Sequence, residues 1–328
     1  MPASPAPPLS SLLERRLVIV TGKGGTGKTT VCAALALAAA QRGLRVLVAE
    51  VARSAQVPHL LDPNPPDVGY EAREVLPGIR AMRIDPFSAL AEYIGLQLGL
   101  RNLVERFLRS AAFRQLMDAS PGWRELITLG KIWHLERMRD GDRPRHDLIV
   151  VDAPATGHGV SFLEVPRVVL SAVRGGPLRH HTEAVEALLE DSARTTLLPV
   201  ARAEELPARE TAQLVDAVRA RLSIPIDRVV VNAVHPAPFP PHLADLDERL
   251  ARLPQGLPLG ALPEPATLAA CARYLRARHE LNRGYVVQIA RSTGLPLVCL
   301  PYLRDGLRGR ADVEALGRKL LEEPRAAA

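Results

Sequence analysis

Glycine, lysine and threonine converge in one short stretch, Val18-Ile19-Val20-Thr21-Gly22-Lys23-Gly24-Gly25-Thr26-Gly27-Lys28-Thr29-Thr30. Gly22, Gly27, Lys28 and Thr29 fill the phosphate-binding pattern G-x-x-x-x-G-K-[ST]. Glycines let the backbone bend so that successive N–H groups point inward as a cradle for anionic oxygens. A helix starting directly after them adds the positive end of its dipole. Lys28 is the candidate for the β- and γ-phosphate oxygens, and the Thr29 hydroxyl is a candidate Mg²⁺ ligand. Gly22, Lys23, Gly24, Gly25, Thr26, Gly27, Lys28, Thr29 and Thr30 are thus candidate nucleotide contacts, with ATP and Mg²⁺ as the implied cofactors. Of 42 basic side chains only four are lysine: Lys23, Lys28, Lys131 and Lys319. Two of these fall in the loop, where a compact ammonium fits among close backbone amides and a broad guanidinium does not. A glycine-rich turn with incidental lysines is the plainer reading, and the strand–turn–helix setting speaks against it.

A second piece of chemistry is Asp147-Leu148-Ile149-Val150-Val151-Asp152, an apolar strand followed directly by a carboxylate. An acid so placed lies at the carboxyl edge of a parallel sheet beside a phosphate loop. Asp152 is therefore the candidate to share Mg²⁺ with Thr29. By itself a strand ending in Asp is a weak signal. The three cysteines, Cys32, Cys271 and Cys299, form no C-x-x-C pair, which argues against a disulfide framework and a structural zinc site. Cys32 and Cys299 fall in apolar helix and strand patterns and read as core residues. Adjacent His180 and His181 cannot both face one ion from a regular helix.

Positioning these groups takes a sheet. Residues 17–21 read as a first strand, 28–41 as a helix stopped by Gly43, and 45–49 as a second strand, a βαβ unit with parallel strands. Residues 57–78 are proline-rich and read as irregular, with a third strand at 79–84. From 86 to about 140 the apolar spacing turns helical, through Leu90, Tyr93, Ile94 and Leu98, then Leu103, Val104, Phe107 and Leu108, then Leu126, Leu129, Ile132, Trp133 and Leu135. Such an insertion can carry a partner surface, although apolar stripes more often face a core. Residues 195–200 and 228–231 read as buried strands flanking a helix at 208–222, and 257–262 and 297–300 as strands completing the sheet. Helices follow at 266–291 and 313–321. The expected class is α/β, a P-loop NTPase with a mostly parallel doubly wound sheet and a helical insertion. The expected organisation is a flexible tail (1–14), an ATPase domain (15–328), a helical subdomain at about 86–140 and a short second insertion at about 174–194.

Composition bounds the partners. With 328 residues, 47% hydrophobic, the chain can bury a large core, and at 4% aromatic that core rests on aliphatic side chains. The formal charge is +6, but the arginines are scattered without interleaved aromatics, which argues against nucleic acid. No uncharged apolar run reaches membrane-spanning length. Residues 1–10 lack the basic and apolar regions of a signal peptide, so a cytoplasmic location is expected.

The run from Asp152 continues as Ala153-Pro154-Ala155-Thr156-Gly157-His158-Gly159-Val160-Ser161-Phe162-Leu163-Glu164-Val165-Pro166. It resembles the D-T-A-P-T-G-H-x-x-R-x-L-x-x-P switch II of the arsenite-pump ATPase family, which includes the eukaryotic ATPases that deliver tail-anchored membrane proteins. Pro121-Gly122-Trp123-Arg124-Glu125 is similar to that family's P-G-x-x-E motif, and Glu205 with Arg209-Glu210-Thr211 to its E-x-x-x-x-E-T run. The resemblance implies that Asn232, at the end of Val230-Val231, contacts adenine, and that Pro301 belongs to a loop closing on the base. It implies that Lys23 marks the deviant P-loop subclass, reaching the nucleotide of a partner subunit. It also implies a homodimer, or a heterodimer with a paralogue, in which switch regions couple γ-phosphate loss to opening. His158 would be a structural residue of the switch.

Departures from the family pattern shape the expected activity. Where relatives carry D-P-A-H-[SN], with an aspartate that orients the attacking water, this chain has Glu50-Val51-Ala52-Arg53-Ser54. Glu50 is therefore the candidate catalytic carboxylate, alongside Lys23, Lys28 and Asp152. Its arm is one methylene longer, and misplacement by about 1 Å costs on the order of 10²-fold in rate, so slow turnover is expected. The alternative is that Glu50 merely ends a strand on the surface. Cys271-Ala272-Arg273-Tyr274 lacks a second cysteine, so no bridging zinc is expected. Residues 174–194 are short and charged where eukaryotic members have a methionine-rich client region, and the whole chain has four methionines. Two readings follow: an ATP-hydrolysing dimeric switch acting on an unidentified protein or membrane client, or a nucleotide-dependent scaffold with little or no hydrolysis. A phosphotransferase would need a second-substrate motif, and none is found.

Overall fold

The computed structural model describes residues 11–52, 54–98, 122–155, 159–254, 256–258 and 260–322. Residues 1–10, Arg53, Leu103, Val104, Phe107, Leu108, Pro121, Thr156, Gly157 and His158, singled out above, lie outside the described residues.

The strands are β1 (Leu17–Gly22), β2 (Val46–Glu50), β3 (Arg73–Leu76), β4 (Ile79–Arg83), a small hairpin of β5 (Arg139–Asp140) and β6 (Arg143–Pro144), β7 (Leu148–Ala155), β8 (Thr195–Arg202), β9 (Val229–Val234) and β10 (Leu297–Pro301). The helices are α1 (Ser11–Glu14), α2 (Lys28–Ala40), α3 (Val57–Leu61), α4 (Pro86–Leu98), α5 (Trp123–Arg137), α6 (Gly159–Ala172), α7 (Pro177–Glu190), α8 (Glu205–Arg221), α9 (Leu246–Ala251), α10 (Pro265–Thr293) and α11 (Arg310–Leu320).

Eight strands form one sheet in the order β10-β9-β8-β1-β7-β2-β4-β3. Every neighbouring pair is parallel except β3 with β4. This is the mostly parallel α/β architecture that the sequence predicts. β1 sits near the middle, flanked by β7 and β8. All six of its residues are buried, as a parallel strand covered on both faces requires. Its side chains alternate: Val18 and Val20 pack with α2 and α11, whereas Leu17 and Ile19 pack with Leu129, Ile132 and Leu135 of α5 and with Val185, Leu188 and Leu189 of α7. The apolar stripe of α5 is therefore core. Residues 31–39 of α2 are all buried, and its alanines let it lie close between the sheet and α11.

Four local readings are corrected. Residues 57–78 are not irregular: they hold α3 and the edge strand β3. The cause is a side-chain cap for α3 from the end of β2 and a tight turn at Gly78 (φ 80°) that folds β3 back onto β4. The described residues of 257–262 form no strand. Pro258, Pro263 and the left-handed glycines Gly256 (φ 77°) and Gly260 (φ 66°) break the run, and Leu257 and Leu262 are exposed. Ser11–Glu14 belongs to the folded part and not to a tail, because Leu12 is fully buried against the core. Asp152 lies inside β7 and not after it, since β7 continues to Ala155 beside Gly22. In addition, β1 and β2 do not touch; β7 runs between them.

Candidate functional site

The turn after β1 is shaped by what cannot fit. Gly22 holds φ 148°, and a Cβ there would lie 2.2 Å from the Val200 carbonyl oxygen. Gly27 caps α2 at φ 92°, and its Cβ would lie 2.1 Å from Asn232 Nδ2. Any other residue at either place forces the loop or its neighbour to move. Gly25 is also left-handed, at φ 82°, and Gly24 and Gly25 are exposed at the loop's crest.

Within the loop, the Thr26 hydroxyl donates to the Lys23 carbonyl at 2.9 Å, and the Lys28 ammonium donates to the same oxygen at 3.1 Å. Lys28 thus lies across the mouth of the turn. Asn232, from β9, donates Nδ2 to the Thr26 carbonyl at 2.9 Å and pins the loop from the side. Thr30 lies in the first turn of α2. Pro301 ends β10 in register with Val234, and the Tyr302 N–H donates to the Val234 carbonyl at 2.9 Å. The rings of Tyr302 and His235 lie 4.4 Å apart. Asn232, His235, Pro301 and Tyr302 thereby gather at one end of the β9–β10 pair.

Opposite the loop stand two buried carboxylates. Asp152 pairs in register with Val20 on one side and Glu50 on the other. Its Oδ2 accepts the Thr29 hydroxyl at 2.6 Å. Burial raises the Asp152 pKa, opposed by the Thr29 hydrogen bond and by Lys28. Burial in turn lowers the Lys28 pKa, opposed by Asp152. Glu50 is 1% exposed, so it does not end its strand on the surface. Its Oε1 accepts the Gln56 N–H at 2.7 Å and the Val57 N–H at 3.1 Å, capping α3, while its buried Oε2 has no partner among the described residues. Desolvation pushes its pKa up to about 7, with a smaller contribution from Asp152. Two buried carboxylates facing one half-buried lysine leave this end of the sheet short of positive charge, an arrangement that suits a hard divalent cation.

Lys23 is turned away from the loop. Its Nζ donates to Glu210 Oε1 of α8 at 2.6 Å, with both side chains about one-third exposed (32% and 30%). The sequence offers no sign of this pair, which spans 187 positions. It also gives no sign that Ala233, next to Asn232, adopts φ 55°, because alanine is not a residue chosen for left-handed backbone. Cys32 is fully buried in α2, where desolvation raises its thiol pKa; Cys299 is half-buried and Cys271 exposed. Among the described residues, no three or more His, Cys, Asp or Glu side chains gather to hold a metal, and no helix is long and apolar enough to cross a membrane.

Comparison with known proteins agrees with this architecture. Residues 15–175 match the profile of the anion-transporting ATPase family. The ATPase BagA of Mycobacterium tuberculosis is 35% identical over 238 residues, covering 71% of this chain and 69% of that protein. An arsenical pump-driving ATPase of Acidiphilium multivorum is 28% identical over 263 residues, 72% of this chain and 44% of that protein. The ATPase GET3 of Lachancea thermotolerans is 22% identical over 253 residues, 66% of this chain and 71% of that protein.

Proposed function

The chain belongs to the anion-transporting, or arsenite-pump, ATPase family and is an ATPase, and from that premise we propose that it is a Mg-ATP-dependent dimeric switch. The dimer would be homomeric or formed with a paralogue, and turnover would drive an unidentified protein or membrane client. The observation that carries this reading is the 2.6 Å contact between the Thr29 hydroxyl and Asp152. Two hard oxygen ligands from separate elements meet beside a lysine in a glycine loop. Mg²⁺ is commonly held by one or two such groups, with nucleotide phosphates and water completing its shell.

In this proposal residues 22–30 cradle the phosphates, with Lys28 set against the terminal oxygens. Thr29 and Asp152 hold Mg²⁺, which when bound neutralises the phosphate charge. Asn232 and Pro301 border the adenine. Glu50 orients the attacking water: its Oε2 is free of partners within the described residues, and a pKa of about 7 suits a group that takes up a proton near neutrality. Lys23 leaves Glu210 and reaches the nucleotide of the partner subunit when the dimer closes.

One observation favours the scaffold reading, in which nucleotide is bound and scarcely hydrolysed. Oε1 of Glu50 is already committed to two backbone N–H groups, so the carboxylate also serves as a structural cap. Phosphate release from Mg-ATP separates the two. For the switch, Lys28→Ala abolishes nucleotide binding and turnover, and Glu50→Gln keeps binding while slowing turnover roughly 10²-fold. A wild-type rate equal to that of Lys28→Ala, with ATP still bound, selects the scaffold. No nucleotide binding at all overturns both.

A further inference from the structure

α4, α5 and α7 do not close on one another. Between them lies a cavity of about 520 Å³, within the size range of small-molecule sites. Most of its wall is apolar, supplied by Leu90, Leu126, Ile127 and Val185 and by the rings of Trp123 and Trp133. At its polar end Lys131, only 9% exposed, donates to Glu92 at 2.5 Å, and the Tyr70 hydroxyl donates to the same carboxylate. His134 and His181 complete that end, with His181 edge-on to Tyr93 at 5.1 Å and to Trp133 at 5.7 Å. Glu92 there accepts from two donors, whereas the Lys131 ammonium has three N–H bonds and gives one of them to Glu92, which leaves donors for a further acceptor. Lysine is scarce in this chain, and Lys319 lies nearer the surface beside Glu322, whereas Lys131 is largely enclosed.

Gly130 faces the same space from the middle of α5. A Cβ built on it would meet nothing within 4 Å, so no close contact demands glycine here. Glycine weakens a helix interior, and the return is an open cavity.

We propose that this cavity binds a medium-chain acyl carboxylate, its chain along the apolar wall and its head at Lys131. The lining shares no residue with the loop at 22–30, so binding here stands or falls apart from the nucleotide reading.

Both tryptophans of the chain line the cavity, so the intrinsic fluorescence of the nucleotide-free protein reports on it directly. Titration with decanoate is expected to give a saturable change. Octanoate, two methylenes shorter, should bind roughly tenfold more weakly. Gly130→Leu fills the space and should weaken decanoate roughly tenfold or more while circular dichroism and melting are retained, and Gly130→Met should do the same. Lys131→Met should remove the preference for decanoate over decyltrimethylammonium. A response that does not saturate, decyltrimethylammonium binding as tightly as decanoate to the wild type, or undiminished binding in both Gly130 variants would overturn the proposal. So would an apolar peptide that binds in place of decanoate.

Discussion

At pH 7 the Glu50 carboxyl stands near its midpoint, because burial lifts its pKa from 4.5 to about 7. Between those values the folded protein keeps the proton and the unfolded chain releases it. The stability associated with Glu50 is therefore fully present below about pH 4.5 and is lost as pH rises through 7, by on the order of 3 kcal/mol in all. Asp152 shifts in the same direction for the same reason. Glu50→Gln is expected to raise the melting temperature of the nucleotide-free protein at pH 8 by roughly 5 °C and to leave it unchanged near pH 4.5. Calorimetry across that range checks the sign; a gain at low pH and none at high pH contradicts it. In the proposed mechanism the wild-type rate of phosphate release also climbs through about pH 7, and Glu50→Gln flattens the climb.

α2 connects the loop to the body of the fold, and its packing tolerates little. α11 crosses it at Gly317, where a Cβ would lie 2.6 Å from the Ala34 carbonyl oxygen and 3.1 Å from the Ala38 methyl. In an exposed helix Gly→Ala is stabilising by about 1 kcal/mol. Here overpacking against backbone decides the outcome, and Gly317→Ala is expected to destabilise by on the order of 2 kcal/mol. Urea unfolding measures it. A stabilised variant would show that α11 slides freely over α2. The loop runs directly into α2, so the same variant is expected to bind ATP more weakly than wild type.

For the molecule as a whole, the proposed dimer rests on Lys23. Its present pair with Glu210 is about one-third exposed. Such pairs contribute about 0–1 kcal/mol, so exchange for a partner's phosphate costs little. Sedimentation with Mg-ATP is expected to show a mass near twice 35.6 kDa. Lys23→Ala should bind ATP and remain at the lower mass. If the wild type stays at that mass with nucleotide bound, the dimer is refuted and the single-chain site must act alone.

What the sequence alone determined was local. The run from Val18 to Thr30 carries its strand, turn and helix in contiguous residues, because glycine freedom and apolar period act within a few positions of each other. The same holds for β7, β8, β9 and the stripe of α5. Tertiary structure decided what is remote in sequence. It placed β7 between β1 and β2 and so set Glu50 beside Asp152. It gave Lys23 its partner Glu210 and left Leu257 and Leu262 exposed. Burial sets the proton affinities of Glu50, Asp152 and Lys28, and burial is a property of the packed chain, since desolvation depends on every element that closes over a group and not on its neighbours in sequence.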